Sequence, residues 1–148
     1  LLDELSELKN MQPLIKTNQD FPFSLVAGSR RAYTANCAIR DPSWAKGKNV
    51  TALTIHPEDA DKHSIPEGAE VILSTEVGQA TAHVAFDDRM HLGTISVPNG
   101  QGMHFTNEQG ERIPTGIYIN ELTSTKHRDK FIGTPLHKFV PANIKLAM

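Results

Sequence analysis

The chain has 148 residues, 39% of them apolar and 22% charged, which suits one folded domain with a single core and excludes disorder as the default. A formal charge of −2 excludes a strong general affinity for nucleic acid, and no apolar run approaches the length of a membrane span. One cysteine, Cys37, excludes an internal disulfide and a cysteine-rich metal site, and it leaves the compartment open, with the cytoplasm favoured over the periplasm.

The opening LLDELSELKN lacks an initiator Met and spaces Leu1, Leu5 and Leu8 as a helical turn or two would. Residues 1–20 therefore read as a leader from a preceding domain, and 21–148 as the domain proper. Residues 21–26 predict a short strand that closes on Ala27, Gly28 and Ser29, where the backbone can turn tightly. RRAYTANCAIRDPSWAKGKN has no period and several breakers, so it reads as a long excursion, with Trp44 expected to cap the core beneath it and Cys37 to be a buried thiol. Residues 50–55 form the next β-branched run. HPEDAD then opens a brief helix: Pro57 suits its first position, where a missing N–H needs no partner, and Glu58 and Asp59 suit the positive end of its dipole.

Residues 70–75 and 79–86 pair as a hairpin about Val77 and Gly78, with Ala80, Ala82, Val84 and Phe86 sharing one face by alternation. Residues 93–97 predict a strand leading into the turn-rich PNGQG, and residues 136–140 a final strand. Asp87-Asp88 reads as a charged turn, and the seven histidines, which lack close ligand spacing, as surface or loop residues. Five or six short strands, one short helix and no repeat predict a mainly β fold, a small barrel whose closure removes the exposed edges.

Charge is unevenly placed. Residues 29–48 carry five basic and one acidic side chain, residues 56–90 two and eight, and residues 121–148 five and two. If the two basic segments meet, they form a site for an anion of several charges, such as a polyphosphate; if they do not, each is a solvated loop.

The order of these pieces resembles the C-terminal molybdopterin dinucleotide-binding domain of the molybdenum and tungsten oxidoreductases, a group that includes formate dehydrogenases, nitrate reductases and dimethyl sulfoxide reductases. The resemblance runs from about residue 21 to the end. It rests on HPEDADKHSIPEGAEV, on GTISVPNGQGM, and on NELT followed by TPLHK, taken together. It implies a double-psi β-barrel with one or two short helices. It also implies a molybdopterin guanine dinucleotide held against the remaining domains of the parent enzyme, with metal ligand and redox chemistry elsewhere in that parent, and no nucleic-acid or direct membrane partner.

Carried over to this sequence, the implied contacts are chemically reasonable. Gly28 lets the backbone approach the ligand, Ser29 offers a hydroxyl and an N–H, and Arg30 or Arg31 can grip a pyrophosphate; two adjacent arginines in an extended chain point apart, so one of them suffices. Asn36 and Asn120 present a donor and an acceptor to a pterin or guanine edge, though Asn36 is also a turn former. Gly100 permits close approach and Gln101 can reach the pterin, where relatives often carry an aromatic residue. Leu122 and Thr123 enter through NELT, and His137 and Lys138 match a position near the pterin or phosphate. The alternatives are a self-processing pyruvoyl decarboxylase cleaved at Gly28-Ser29 and a protein-interaction barrel, whose mark would be an exposed apolar groove.

Overall fold

The computed structural model describes residues 6, 16–29, 41–45, 51–129 and 131–147, so Arg30, Arg31, Asn36 and Cys37 lie outside the described residues. The strands are β1 (Phe23–Ser29), β2 (Leu53–Ile55), β3 (Glu70–Thr75), β4 (Gln79–Phe86), β5 (Thr94–Pro98), β6 (Met103–Thr106), β7 (Arg112–Thr115) and β8 (Val140–Leu146). Helix α1 (Pro57–Lys62) follows β2, and 3₁₀ turns cover Pro42–Ala45 and Ile119–Glu121.

Six strands close a barrel in the order β1-β5-β2-β4-β3-β8. The β1/β5 and β2/β4 pairs are parallel and the other four antiparallel. Passing from β1 to β2 the chain steps over β5, and passing from β4 to β5 it steps over β2 at the opposite end. These two interlocked crossovers make the double-psi barrel that the resemblance implies. Strand directions also sort the connections. The ends of β1, β3 and β5 and the starts of β2, β4 and β8 share one end, the rim, while α1 and the β4–β5 turn lie at the other.

Alternation fills the interior: Phe23, Leu25 and Ala27 of β1, Val71, Leu73 and Thr75 of β3, Ala82 and Val84 of β4, and Val140, Ala142 and Ile144 of β8 are all buried. Each end has its own plug. Ala60 of α1 and the following Ile65 close the helix end, and Ile117, Ile119 and Leu122 close the rim. Helix α1 starts where Nδ1 of His56 accepts from the Glu58 N–H at 3.1 Å, with Pro57 at its first position. Its buried Asp59 accepts from the Gly93 N–H and from Nζ of Lys62, which ties the helix to the β4–β5 crossover.

Three expectations are corrected. Trp44 does not cap the core: it is 61% exposed. The last strand begins at Val140, where residues 136–140 were expected to form it; Phe139 takes a left-handed φ of 61°, which ends any extended run before it. The β6–β7 hairpin was not expected at all. Nδ2 of Asn143 in β8 donates to the Asp20 carbonyl at 2.7 Å, which holds Asp20 against the barrel.

Candidate functional site

The rim gathers four segments that are far apart in sequence. Gly28 and Ser29 end β1, where the register shifts between Ala27 and Ser29 and makes Gly28 a bulge that re-aims the strand end. Across from them, the His137 carbonyl accepts from the Ala27 N–H at 2.9 Å, holding His137 half-buried and leaving Lys138 exposed on the approach to β8. Gly100 follows β5 with a φ of 75°, its N–H donated to Oδ1 of Asn99 at 2.8 Å. Gln101 is 7% exposed and set into the wall against Gly116, where an added Cβ would lie 2.9 Å from the Gln101 Cβ.

The fourth segment is the 3₁₀ turn. Burial of Ile117, Ile119 and Leu122 forces Tyr118, Asn120 and Glu121 outward. Oγ1 of Thr75 donates to the Leu122 carbonyl at 3.0 Å and accepts from the Val77 N–H at 3.2 Å, so one hydroxyl orders both the plug and the β3–β4 turn. Gly78 and Gly102 let this segment lie close: a Cβ on Gly78 would sit 2.5 Å from the Glu121 carbonyl oxygen, and one on Gly102 2.5 Å from the Tyr118 Cα. Asn120 is exposed, with Nδ2 3.4 Å from the Tyr118 hydroxyl.

Of the candidates described, Gly28, Ser29, Gly100, Asn120, His137 and Lys138 therefore come together at one end of the barrel. Leu122 differs in kind, because its side chain is fully buried core and its carbonyl is taken by Thr75. Thr123 turns its hydroxyl back to the Ile119 carbonyl at 3.3 Å. Sequence reasoning passed over Tyr118 and Glu121, whose one signal was the short alternation of apolar and polar residues in IYINEL. Beside them a groove of about 570 Å³ runs along β4, from Thr51, Tyr118 and Glu121 near the rim to Glu70 and His83 at the opposite end, with His104 of β6 on its far wall.

Exposed amide, ammonium and backbone groups facing one opening make a surface for a ligand that is both anionic and rich in hydrogen-bonding edges. Lys126 and Arg128, also exposed, lie in the segment tied to this end by the bond from the Leu136 N–H to the His127 carbonyl at 2.8 Å. Among the described residues no group of three His, Cys, Asp or Glu side chains could hold a metal ion.

The family described as "Molydopterin dinucleotide binding domain" matches residues 23–141. Among solved structures, acetylene hydratase from Pelobacter acetylenicus superposes with a TM-score of 0.72 at 17% identity, over 97% of this chain and 20% of that one. The likeness is one of fold, and this chain spans a fifth of that protein's length. No curated protein sequence matches the chain.

Proposed function

The chain belongs to the molybdopterin dinucleotide-binding domain family, and from that premise we propose that its rim is the surface on which the dinucleotide's pyrophosphate and heterocycles lie. The observation that carries the reading is the convergence of Gly28, Ser29, Gly100, Asn120, His137 and Lys138 on one end of a closed barrel. The donor set fits the ligand. Lys138 brings a positive charge, the Gly28 bulge brings backbone close without a side chain, and Asn120 can donate and accept at a heterocycle edge. Arg30 and Arg31 continue directly from Ser29, and this reading gives one of them to the pyrophosphate.

This chain's part is to bind and orient. The molybdenum or tungsten carried by the pterin supplies two-electron or oxygen-atom transfer when bound, in a larger parent oxidoreductase whose other domains complete the cleft. Rigid strands holding the rim residues give the cofactor one orientation, and the plug of Ile117, Ile119 and Leu122 keeps water out of the barrel beneath it.

Pterin and metal content of the purified parent protein tests the reading. Lys138→Ala and Asn120→Ala should each lower cofactor occupancy while the barrel stays folded, since both side chains are exposed; a charge-assisted contact is worth about 1.5 to 3 kcal/mol. Arg112→Ala, exposed on β7, is the control and should retain full occupancy. Full occupancy in both rim variants would mean that the rim is a solvated surface.

A further inference from the structure

We infer that the edge of β4 at residues 79–83 docks one extended, basic polypeptide segment from the parent's other domains, which joins the barrel as an added strand. The inference rests on the reading of this chain as one domain of a larger oxidoreductase, and it names a surface on which that parent closes. Backbone polar groups point to it. β4 pairs with β3 over residues 79–83, but on its other side β2 covers it only from Val84 to Phe86. Val84 donates its N–H to the Ala69 carbonyl at 3.0 Å and its carbonyl accepts from the Gly68 N–H at 2.9 Å, so both of its polar groups face β3. Those of Ala82 and Ala80 face the same way, because a strand repeats every two residues. The N–H and carbonyl of Thr81 and the N–H of His83 therefore face away from β3, and among the described residues these three groups have no hydrogen-bond partner.

They open on the groove of about 570 Å³, between residues 80–83 and the β6–β7 hairpin, which contributes His104 and Pro114. Four residues of strand span about 10 Å, and donors and acceptors alternating at that spacing are matched by another extended backbone. Lysine, proline or a bulge ordinarily blunts an open edge. Gln79-Ala80-Thr81-Ala82-His83 has none of these, and its register with β3 is unbroken. Charge and size then describe the incoming segment. Exposed Glu70 stands beside His83 at one end of the groove and exposed Glu121 at the other, and no Lys or Arg lies among the described lining residues. Basic side chains suit both ends, with a small apolar one between them against Ala80, Ala82 and the buried Ile117. The source follows from position: the groove opens at the rim beside Thr51, Tyr118 and Glu121, where the other domains of the parent complete the cleft.

Hydrogen exchange at the Thr81 and His83 amides, followed in the free 148-residue chain and in the purified parent, tests this. In the free chain both should exchange fast while Ala80 and Ala82, bonded to β3, are protected; in the parent both should slow by about tenfold or more. Glu70→Gln together with Glu121→Gln should speed their exchange several-fold in the parent and leave the free chain unchanged. Protection that the two glutamines do not alter would overturn the basic character of the segment. Protection in the free chain that grows with its concentration would assign the edge to a second copy, and protection there at every concentration would mean that the edge is already covered; either result overturns the inference. So does fast exchange in the parent. Pterin content measured on the same parent keeps the two readings apart: full pterin with a fast edge leaves the rim reading standing alone, and a fast edge without pterin brings both down.

Discussion

Gly102 and Gly110 both take a left-handed φ, 90° and 81°, yet they demand glycine for different reasons. Nothing lies within 4 Å of a Cβ placed on Gly110, so Gly110→Ala meets backbone strain alone, about 1 kcal/mol. At Gly102 the same methyl would meet the Tyr118 backbone, which cannot move without displacing the rim plug. Gly102→Ala should therefore cost about 3 kcal/mol or more by urea denaturation, and the amide signals of residues 118–121 should shift with it. Equal costs at the two positions would show that the plug gives way freely. Thr75 is the other single residue on which the rim depends. Thr75→Val keeps the volume but strands the Leu122 carbonyl and the Val77 N–H, at about 1 to 3 kcal/mol, and thermal unfolding of the variant measures the loss.

At the scale of elements, α1 is held by a buried acid more than by its own turns, since six residues are too few to be stable alone. Asp59 links it to Gly93 across the crossover, so Asp59→Ala should destabilise by about 1 to 3 kcal/mol, whereas Lys62→Ala, which removes the 61% exposed partner, should cost under about 1. Similar losses from the two would assign the stability to the ion pair instead. This helix was legible in the sequence because HPEDAD carries its own start signals, and the β3–β4 hairpin was legible because residues 79–84 alternate polar and apolar without a break. The β6–β7 hairpin was not, because four-residue strands with Pro114 in one of them give too little period to separate from loop. Pro141 likewise hid β8, where the buried Val140, Ala142 and Ile144 are the real signal. For the site, the resemblance named the segments, but their meeting at one rim depends on the crossovers. Tyr118 and Glu121 became candidates only once their apolar neighbours were seen to be buried.

On the scale of the whole molecule, the topology converts a striped sequence into a polar body. Residues 56–69 and 87–93 leave and re-enter the barrel at the helix end and carry six acids against two bases, whereas Lys126, Arg128 and Lys138 lie at the rim. Strands of five to eight residues, tilted as barrel strands are, separate the two ends by about 15 Å. At about 0.15 M salt the screening length is near 8 Å and the acidic end is hidden from an anion at the rim; at about 0.01 M it is near 30 Å and the repulsion reaches across. Replacing Glu58, Asp61 and Asp88 with Gln, Asn and Asn should therefore tighten pyrophosphate binding several-fold in low salt and by less than about twofold at 0.15 M. Lys138→Ala should weaken it at both, because contact between the ammonium and a phosphate oxygen is too close for salt to screen fully. Titrations of the wild-type chain and both variants at the two ionic strengths decide it. Tightening of equal size at both salts would place the three acids beside the ligand, and so would move the site from the rim to the other end of the barrel.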